Sequence, residues 1–476
     1  MRRKATGQSS RGKPSAWSRV IAMVACVMLA GLAHSADLGP AELFELAGIG
    51  PEQLAELKNG EPWEASNNDF LRRALYRIQR DVQPADLEGW SLGEADMDHL
   101  AGDPEAYRMQ VFELRGRVTL AEPFQLSKAA DDAGDFASIW RCRMLLGADE
   151  RPVDVFTARL PNSWRIGEPI DERSGAFAFF LKTSSTEGGG PEACFLTNRM
   201  AWYPPTHLGD LGMDVALLDD VPVEAPPKRN PDGSEPEIDW SARQLTETDH
   251  ESFYQMLRAV GSAPEGQLSR WAQEDLAKAG KSAFSVVPLF NQPQTQQGRL
   301  VELTGVARRI IPIRVGSPSV RDRFGIDEYY QVYLFTDDSQ DNPIVFCLSE
   351  LPEGLPEGDG AGFGERLSVP GFFFKTWSYP TAATSPDGKP QRQLAPLLIG
   401  KSAVWYPVQA PSDLSPTERL VGTGLLIVVL GVVWWIFRRF RRGDREFERQ
   451  VRRRIPPEIS EMNWQALDSS KDEEST

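Results

Sequence analysis

The chain is poor in cysteine and histidine for its length. Its 476 residues include only four of each. So few cysteines exclude a fold built on disulfides, and four histidines leave few ligands for zinc and few candidates for a general base. A mean hydropathy of −0.37, with 41% hydrophobic and 25% charged residues, excludes a polytopic membrane protein and a disordered chain.

Two uncharged apolar stretches predict a place in the cell envelope. Residues 20–33 follow a basic segment and end near the small residues Ala33 and Ser35, which is typical of a signal peptide over residues 1–35. An uncleaved signal anchor is the alternative. Residues 420–437 carry no charge and precede arginines, which predicts one transmembrane helix with a cytoplasmic C-terminal flank. We therefore expect a single-pass protein of the cell membrane with an extracytoplasmic (periplasmic) body.

The net charge of −16 is distributed unevenly between these segments. Residues 1–35 carry +6 and the tail over 438–476 carries +1, so residues 36–437 carry −23. Such an acidic body predicts no nucleic-acid partner, because nucleic-acid binding requires cations that neutralise phosphates. The tail begins with four arginines that we expect either at the membrane surface, beside anionic lipid, or as a simple stop-transfer flank: Arg438, Arg439, Arg441 and Arg442.

The body contains the same sequence pattern twice. Residues 111–118 resemble residues 300–307, with Glu, Leu and Gly at identical offsets, and both copies close on Trp-Tyr-Pro, at 202–204 and 405–407. In each copy, apolar residues at helical spacing precede strand candidates. We predict a signal peptide over 1–35, an N-terminal helical hairpin over 36–68, a first unit over 69–218, a Pro-rich acidic linker over 219–248, a second unit over 249–410, the transmembrane helix over 420–437 and a basic tail over 438–476.

Five short strand candidates in each unit predict the fold class. The pattern resembles a small closed β-barrel of the OB type, and a small β-sandwich is the alternative. We therefore expect an α+β protein of two tandem units, each a helical segment followed by a five-stranded OB-like barrel, plus one C-terminal transmembrane helix. The helix over residues 253–257 before a strand-rich module also resembles exported, membrane-anchored proteins of planctomycete-type bacteria, and that resemblance implies no activity.

Two cysteines of the first unit have two interpretations. Cys142 and Cys194 would share an oxidising compartment, so a disulfide between them is one interpretation. The positions aligned with them in the second unit are Val332 and Leu397. That alignment favours the other interpretation, in which both are small buried hydrophobic residues.

Acidic segments offer metal-like spacings that do not complete a site. Residues 337–341 begin like a calcium-binding loop, but Asn342 stands where that loop requires glycine, which favours a hairpin turn. Residues 96–99 offer three ligands without a fourth at metal-site spacing. The familiar hydrolase, metalloprotease and P-loop motifs are missing from the sequence. We predict no metal, no cofactor and no catalytic residue.

One aromatic segment suggests a ligand. Lys375, Trp377 and Tyr379 alternate along a strand candidate, so they share one face. That face predicts a stacking surface for sugar or peptide, and the alternative is that Trp377 covers the end of a barrel core.

The sequence as a whole favours a non-catalytic function. It predicts a membrane-tethered extracytoplasmic binding or scaffolding protein whose partners are the lipid bilayer, through residues 420–437, and other envelope proteins or polymers. The alternative is a carboxylate-dependent envelope hydrolase, and a purely structural spacer is a third hypothesis.

Overall fold

The computed structural model describes residues 39–46, 48–124, 138–185, 191–224, 238–360, 362–384, 390–407, 424–436 and 438. Residues 1–407 belong to one compact unit and residues 408–476 to a second. Within the first compact unit we call the described residues 39–224 the first half and 238–407 the second half. The predicted signal peptide over 1–35 lies outside the described residues and stays a prediction.

Short helices open the first half. The amphipathic pattern of residues 70–78 forms the longest of them, whose buried side chains Phe70, Leu71, Ala74, Leu75 and Ile78 recur on one face. The helices are α1 (Pro40–Leu46), α2 (Pro51–Ala55), α3 (Asn68–Asp81), α4 (Pro84–Trp90), α5 (Met97–Gly102), α6 (Pro104–Tyr107) and, after the strands, α7 (His207–Asp210). Two 3-10 helices lie at Ala65–Asn67 and Val215–Asp220.

A seven-stranded mixed sheet follows. Its strands are β1 (Ser91–Glu94), β2 (Val111–Phe124), β3 (Ile139–Leu146), β4 (Arg151–Arg159), β5 (Pro169–Ser185), β6 (Pro191–Arg199) and β7 (Ala201–Trp202). The order is β1-β2-β3-β4-β6-β5-β7, and β2 also pairs with β5, so that β2 to β6 close on themselves. The pairs β4–β6 and β1–β2 are parallel, and the others are antiparallel.

The second half repeats this arrangement. Its helices are α8 (Glu247–Gly261), α9 (Gln267–Lys278), α10 (Val287–Asn291) and α11 (Pro318–Phe324), with a 3-10 helix at Pro293–Thr295. Its strands are β8 (Leu300–Arg314), β9 (Glu328–Phe335), β10 (Ile344–Leu348), β11 (Gly358–Asp359), β12 (Glu365–Thr384), β13 (Pro390–Gly400) and β14 (Val404–Tyr406). The order is β11-β8-β9-β10-β13-β12-β14, β8 also pairs with β12, and β10–β13 is parallel.

The glycine shared by the two copies has a steric cause. At Gly116 on β2, a Cβ atom would lie 1.9 Å from the carbonyl oxygen of Leu145 on the neighbouring strand. At Gly305 on β8, it would lie 2.3 Å from the carbonyl oxygen of Phe335. Real Cβ atoms do not approach oxygens so closely. Only glycine therefore fits at these positions of β2 and β8, where each strand lies against its neighbour.

The two halves share part of their core. Buried residues of the second half, among them Phe253, Met256 and Phe374, form one cluster with Leu208 and Met213 from the segment after β7. That segment therefore belongs by sequence to the first half and by packing to the second. Burial of this shared apolar surface makes the two halves one body.

The predicted fold class is wrong in its strand count and in its membrane helix. Each sheet has seven strands rather than five. The additional strands are too short to produce an alternation pattern in the sequence: β1, β7, β11 and β14. Residues 424–436 form the helix α12. Across the described ranges, no helix is long and apolar enough to span a membrane. This finding contradicts the transmembrane helix predicted over 420–437 and the single-pass description based on it. Residues 420–423 and 437 lie outside the described ranges, and the extracytoplasmic location of the body stays a prediction.

Candidate functional site

The structure places Lys375 in the interior of the second half. Its side chain has no exposed surface, and its Nζ donates to Oδ2 of Asp249 at 3.0 Å. The same ammonium donates to the carbonyl oxygens of Ala242 at 3.3 Å and Gln244 at 3.2 Å. Lys375 therefore ties the strand β12 to the start of α8 and offers no charge to a ligand at the surface.

Trp377 and Tyr379 follow Lys375 on β12 and also pack inward. Tyr379 is buried, donates its hydroxyl to Oε1 of Gln393 at 2.8 Å, and packs edge-on against Tyr333. Burial raises the pKa of Tyr379 to about 12. Trp377 is half-buried and packs against the same core, with its ring 6.0 Å from that of Tyr379. The structure brings the three residues together, but as part of the core.

The three cysteines of the described ranges form no disulfide. Cys142 and Cys194 are both buried, and they belong to two different apolar clusters of the first half. Cys347 is buried in the second half. Burial raises the pKa of the Cys142 and Cys347 thiols well above the ordinary value. These thiols fill space in the core and are poor nucleophiles.

The predicted membrane-surface arginines lie in the second compact unit. The guanidinium of Arg438 stacks over the ring of Trp434, with Cζ 4.9 Å from the ring centroid. Arg439, Arg441 and Arg442 lie outside the described residues.

The acidic segments of the described chain do not assemble a metal centre. Asp96 accepts hydrogen bonds from the backbone amides of Asp98 and His99 and so caps the helix α5. Asp338 accepts from Ser285 and from the backbone of Val286, which fixes the turn after β9. No group of three histidine, cysteine, aspartate or glutamate side chains in the described ranges is arranged to hold a metal ion.

A cleft in the first half combines aromatic and charged side chains. We call it the tryptophan cleft, and it has a volume of about 510 Å³. Residues from four separate segments contribute to its lining: Trp140, Arg159, Asn162, Trp164, Arg199, Asp219 and Asp220. A volume of this size lies within the range of small-molecule sites.

The two tryptophans of the cleft differ in burial. Trp140 lies on β3 and is half-buried, so part of its ring is open to the cleft. Trp164 follows the turn at Pro161, to which its backbone amide donates, and it is 5% exposed within the core of the first half. Its Nε1 is buried, and none of the described residues accepts a hydrogen bond from it. An unpaired buried N–H costs about 1–3 kcal/mol, which an acceptor in the cleft would recover.

Two neighbouring carboxylates of the cleft lie in different environments. Asp220 forms an ion pair with Arg159, and Arg199 lies 4.0 Å from its other oxygen. Asp219 accepts the backbone amide of Asn162 at 2.8 Å. Burial raises the pKa of Asp219, and the Asn162 hydrogen bond offsets this only in part. The cleft therefore presents donors and acceptors beside its aromatic faces.

The second half does not repeat the tryptophan cleft. The repeat alignment places Tyr330 opposite Trp140 and Leu355 opposite Trp164. Leu355 is buried in the core of the second half. The sequence signal for the cleft was thus two tryptophans that the second copy lacks. The cleft itself could not be predicted from the pattern of one strand, because its lining comes from separate segments.

An arginine fixes the two halves against each other. Arg323 on α11 donates two hydrogen bonds of 2.7 Å to Glu88 on α4 and two more, of 2.5 and 2.7 Å, to Glu251 on α8. Burial lowers the pKa of Arg323, but the hydrogen bonds to both carboxylates outweigh it, so the pKa lies above the ordinary value. Nearby, the backbone amide of Asp214 donates to Oε1 of Gln255 at 2.8 Å. These contacts hold the first half, which contains the tryptophan cleft, against the second half.

Comparisons with known proteins add no identity. No family model matches the chain, and no curated protein matches it. One similar solved structure is described as "Structural mimicry for functional antagonism", at 8% identity and TM-score 0.13, covering 62% of this chain and 92% of that one. Another is an aspartyl-tRNA synthetase from Leishmania major Friedlin, at 10% identity and TM-score 0.16, covering 52% and 50%. A third is the Ifi202 HINa domain in complex with 20bp dsDNA, at 9% identity and TM-score 0.14, covering 63% and 96%. At these TM-scores the likenesses carry no argument about fold or function.

Proposed function

We propose that this chain is a non-catalytic binding protein whose ligand is a carbohydrate chain held in the tryptophan cleft. The observation that carries the proposal is the buried Nε1–H of Trp164, which has no acceptor among the described residues although Trp164 lines an open cleft. A ligand oxygen that came within hydrogen-bond distance of this N–H would satisfy it.

The chemistry of the lining favours a sugar over other ligands. A pyranose ring has an apolar C–H face, which packs on an indole, and an edge of hydroxyls that both donate and accept. Trp140 supplies a partly exposed ring, Asn162 an amide, and Asp219 and Asp220 carboxylates. The aromatic ring matches the C–H face of a sugar, and the amide and carboxylates match its hydroxyls.

The charges of the cleft favour a neutral or weakly charged ligand. Asp220 is already neutralised by Arg159, and Arg199 holds Asp214 at 3.0 Å. A strongly anionic polymer would meet Asp219, and a strongly cationic ligand would meet Arg159 and Arg199. Neutral oligosaccharides avoid both conflicts.

A second candidate is glycoside hydrolysis in the same cleft. Asp219, whose pKa is raised by burial, and Asp220, which forms an ion pair with Arg159, are two carboxyl groups with contrasting environments. Such a contrast is the usual division between a general acid and a carboxylate partner in glycosidases. This observation favours a hydrolase over any other enzyme class.

Titration calorimetry of the full chain against malto-, cello-, xylo- and chito-oligosaccharides tests the proposal. We expect one series to bind saturably and Trp140→Ala to weaken its binding at least tenfold. The matched control is Tyr330→Ala, at the aligned position of the second half, which should leave the affinity unchanged. Equal affinity of wild type and Trp140→Ala, or no binding in any series, would overturn the carbohydrate assignment.

Chromatography of the same mixtures after prolonged incubation separates the two candidates. Intact oligosaccharides support binding alone. Shortened products that disappear in Asp219→Asn would instead establish hydrolysis, while leaving the cleft as the carbohydrate site.

A further inference from the structure

A second cleft has a volume of about 750 Å³. It is bounded by the segment around α7 of the first half and by α9, α10 and the start of β8 in the second half. We call it the basic cleft. It shares no lining residue with the tryptophan cleft.

The carboxylates that line the basic cleft are already engaged. Asp210 forms an ion pair with Arg173 at 2.6 Å. Asp275 lies 2.9 Å from Nε2 of His207 and 3.5 Å from Nζ of Lys278. Their negative charge is therefore compensated by neighbours on the protein.

Two cations in the basic cleft have no such partner. Lys281, just after α9, and Arg299, just before β8, both line the cleft and are exposed. Within the described ranges, neither side chain forms an ion pair or a hydrogen bond. These two cations stand out against the net charge of −16 of the chain. They give the cleft a local field that attracts anions.

Part of the remaining wall of the basic cleft is apolar. Leu276 and Phe284 are half-buried beside it, and Leu289 and Leu300 form part of its floor. A cavity with an apolar floor and a cationic rim suits a ligand with both characters, because the apolar body leaves water while the charged group stays at the rim.

We propose that the basic cleft binds an organic anion with an aliphatic body, of the class of medium-chain carboxylates. Arg299 and Lys281 bind the carboxylate, and Leu276, Phe284 and Leu300 contact the chain. The Arg299 guanidinium can donate two parallel hydrogen bonds to one carboxylate, which gives the head group a defined position. This site is separate from the tryptophan cleft, so it stands whether or not the chain binds sugar.

Three probes of equal chain length test the charge requirement on the unmodified full chain. Octanoate, 1-octanol and octyltrimethylammonium are titrated by calorimetry at low ionic strength. We expect octanoate to bind saturably at one site, 1-octanol at least tenfold more weakly, and the cation not at all. Equal binding of octanoate and octyltrimethylammonium would overturn the proposal, since the site would then be apolar without selecting charge.

Substitutions then locate the site. Arg299→Ala combined with Lys281→Ala should weaken octanoate binding at least tenfold, and added salt should weaken wild-type binding in the same direction. The matched control is Arg314→Ala, which removes an exposed arginine outside the cleft. The Nε atom of Arg314 lies 3.7 Å from Glu328. Wild-type affinity in the double variant would refute the site. Circular dichroism of each variant checks the fold, and carbohydrate titration reports separately on the tryptophan cleft.

Discussion

Lys375 and Asp249 form an ion pair in which both side chains are completely buried, with Nζ 3.0 Å from Oδ2. The aligned lysine of the first half, Lys182, is also buried, but it donates to the carbonyl oxygen of Pro62 at 3.1 Å and lies over the ring of Trp63. The residue aligned with Asp249 there is Asn68. The two copies therefore bury the same cation in two different ways.

Replacing these two lysines by methionine should have unequal effects. Lys375→Met leaves Asp249 buried without its cation, and breaking such a pair costs about 3–5 kcal/mol. Lys182→Met leaves the carbonyl group of Pro62 without its donor and removes the cation from the Trp63 ring, which we expect to cost about 1–2 kcal/mol. Urea denaturation of both variants measures the difference in the free energy of unfolding. Equal losses would contradict the assignment of an ion pair to one copy only.

The pH dependence of stability should report on Lys182. Burial lowers the pKa of Lys182 below its ordinary value of 10.5. Between the lowered value and 10.5, the unfolded chain binds more protons than the folded one, so the free energy of unfolding rises with pH in that window. Lys182→Met should remove this rise. Denaturation at a series of alkaline pH values up to 10.5 measures it, with Lys278→Met, at an exposed lysine, as the control.

The repeat was the part of the fold that the sequence could predict. Gly116 and Gly305 occupy equivalent strands because each faces a carbonyl oxygen where a Cβ would collide. The strand count was wrong, since β7 is two residues long and β11 is equally short. A strand of two residues is too short to show alternation of apolar and polar side chains. Only its hydrogen bonds to a neighbouring strand define it as a strand.

The candidate sites were harder to predict than the fold. Alternation correctly indicates that Lys375, Trp377 and Tyr379 share a face, but periodicity does not reveal whether that face is inside or outside. The lysine in this segment favoured an exposed face. The carboxylate of Asp249, which stabilises Lys375 in the core, lies 126 residues away in the sequence. Both clefts likewise depend on contacts between distant segments.

Loss of the Arg323 side chain should loosen the two halves. Arg323→Met leaves Glu88 and Glu251 facing each other without their shared cation, and we expect a loss of about 2–3 kcal/mol, below the full cost of a deeply buried pair because Glu88 is partly exposed. Arg314→Ala, at an exposed pair, should change stability by less than about 0.5 kcal/mol. Guanidinium denaturation compares them. A loss as small as that of Arg314→Ala would show that the contact does not hold the halves together.

The buried thiols should be protected from alkylation. Cys142, Cys194 and Cys347 are buried and form no disulfide, and burial raises the pKa of Cys142 and Cys347, so little thiolate forms at pH 8. Iodoacetamide should leave the peptides that contain them unmodified in the native protein and modify all three in guanidinium without reductant. Mass spectrometry of the digests measures this. A Cys142–Cys194 disulfide would instead leave those two peptides unmodified until reduction.

The two tryptophans Trp164 and Trp202 provide a direct test of the unpaired donor in the tryptophan cleft. Nε1 of Trp202 donates to Oε2 of Glu172 at 2.7 Å, so Trp202→Phe removes a charge-assisted hydrogen bond worth about 1.5–3 kcal/mol. Trp164→Phe removes a buried N–H that has no acceptor among the described residues, so the relief of that penalty offsets much of the lost packing, and we expect a change within about 1 kcal/mol. Thermal and urea denaturation of the free protein measure both effects.

Carbohydrate binding should reverse the order of these two variants. Trp164→Phe removes the N–H that donates to an oxygen which only the bound oligosaccharide supplies, so its affinity should fall about tenfold, a difference of about 1.4 kcal/mol. Trp202 does not line the cleft, and Trp202→Phe should bind like the wild type. If Trp164→Phe is instead as destabilising as Trp202→Phe in the free protein, then the indole N–H already has a partner in solution, such as an ordered water. The argument for a ligand oxygen at that position would then fail.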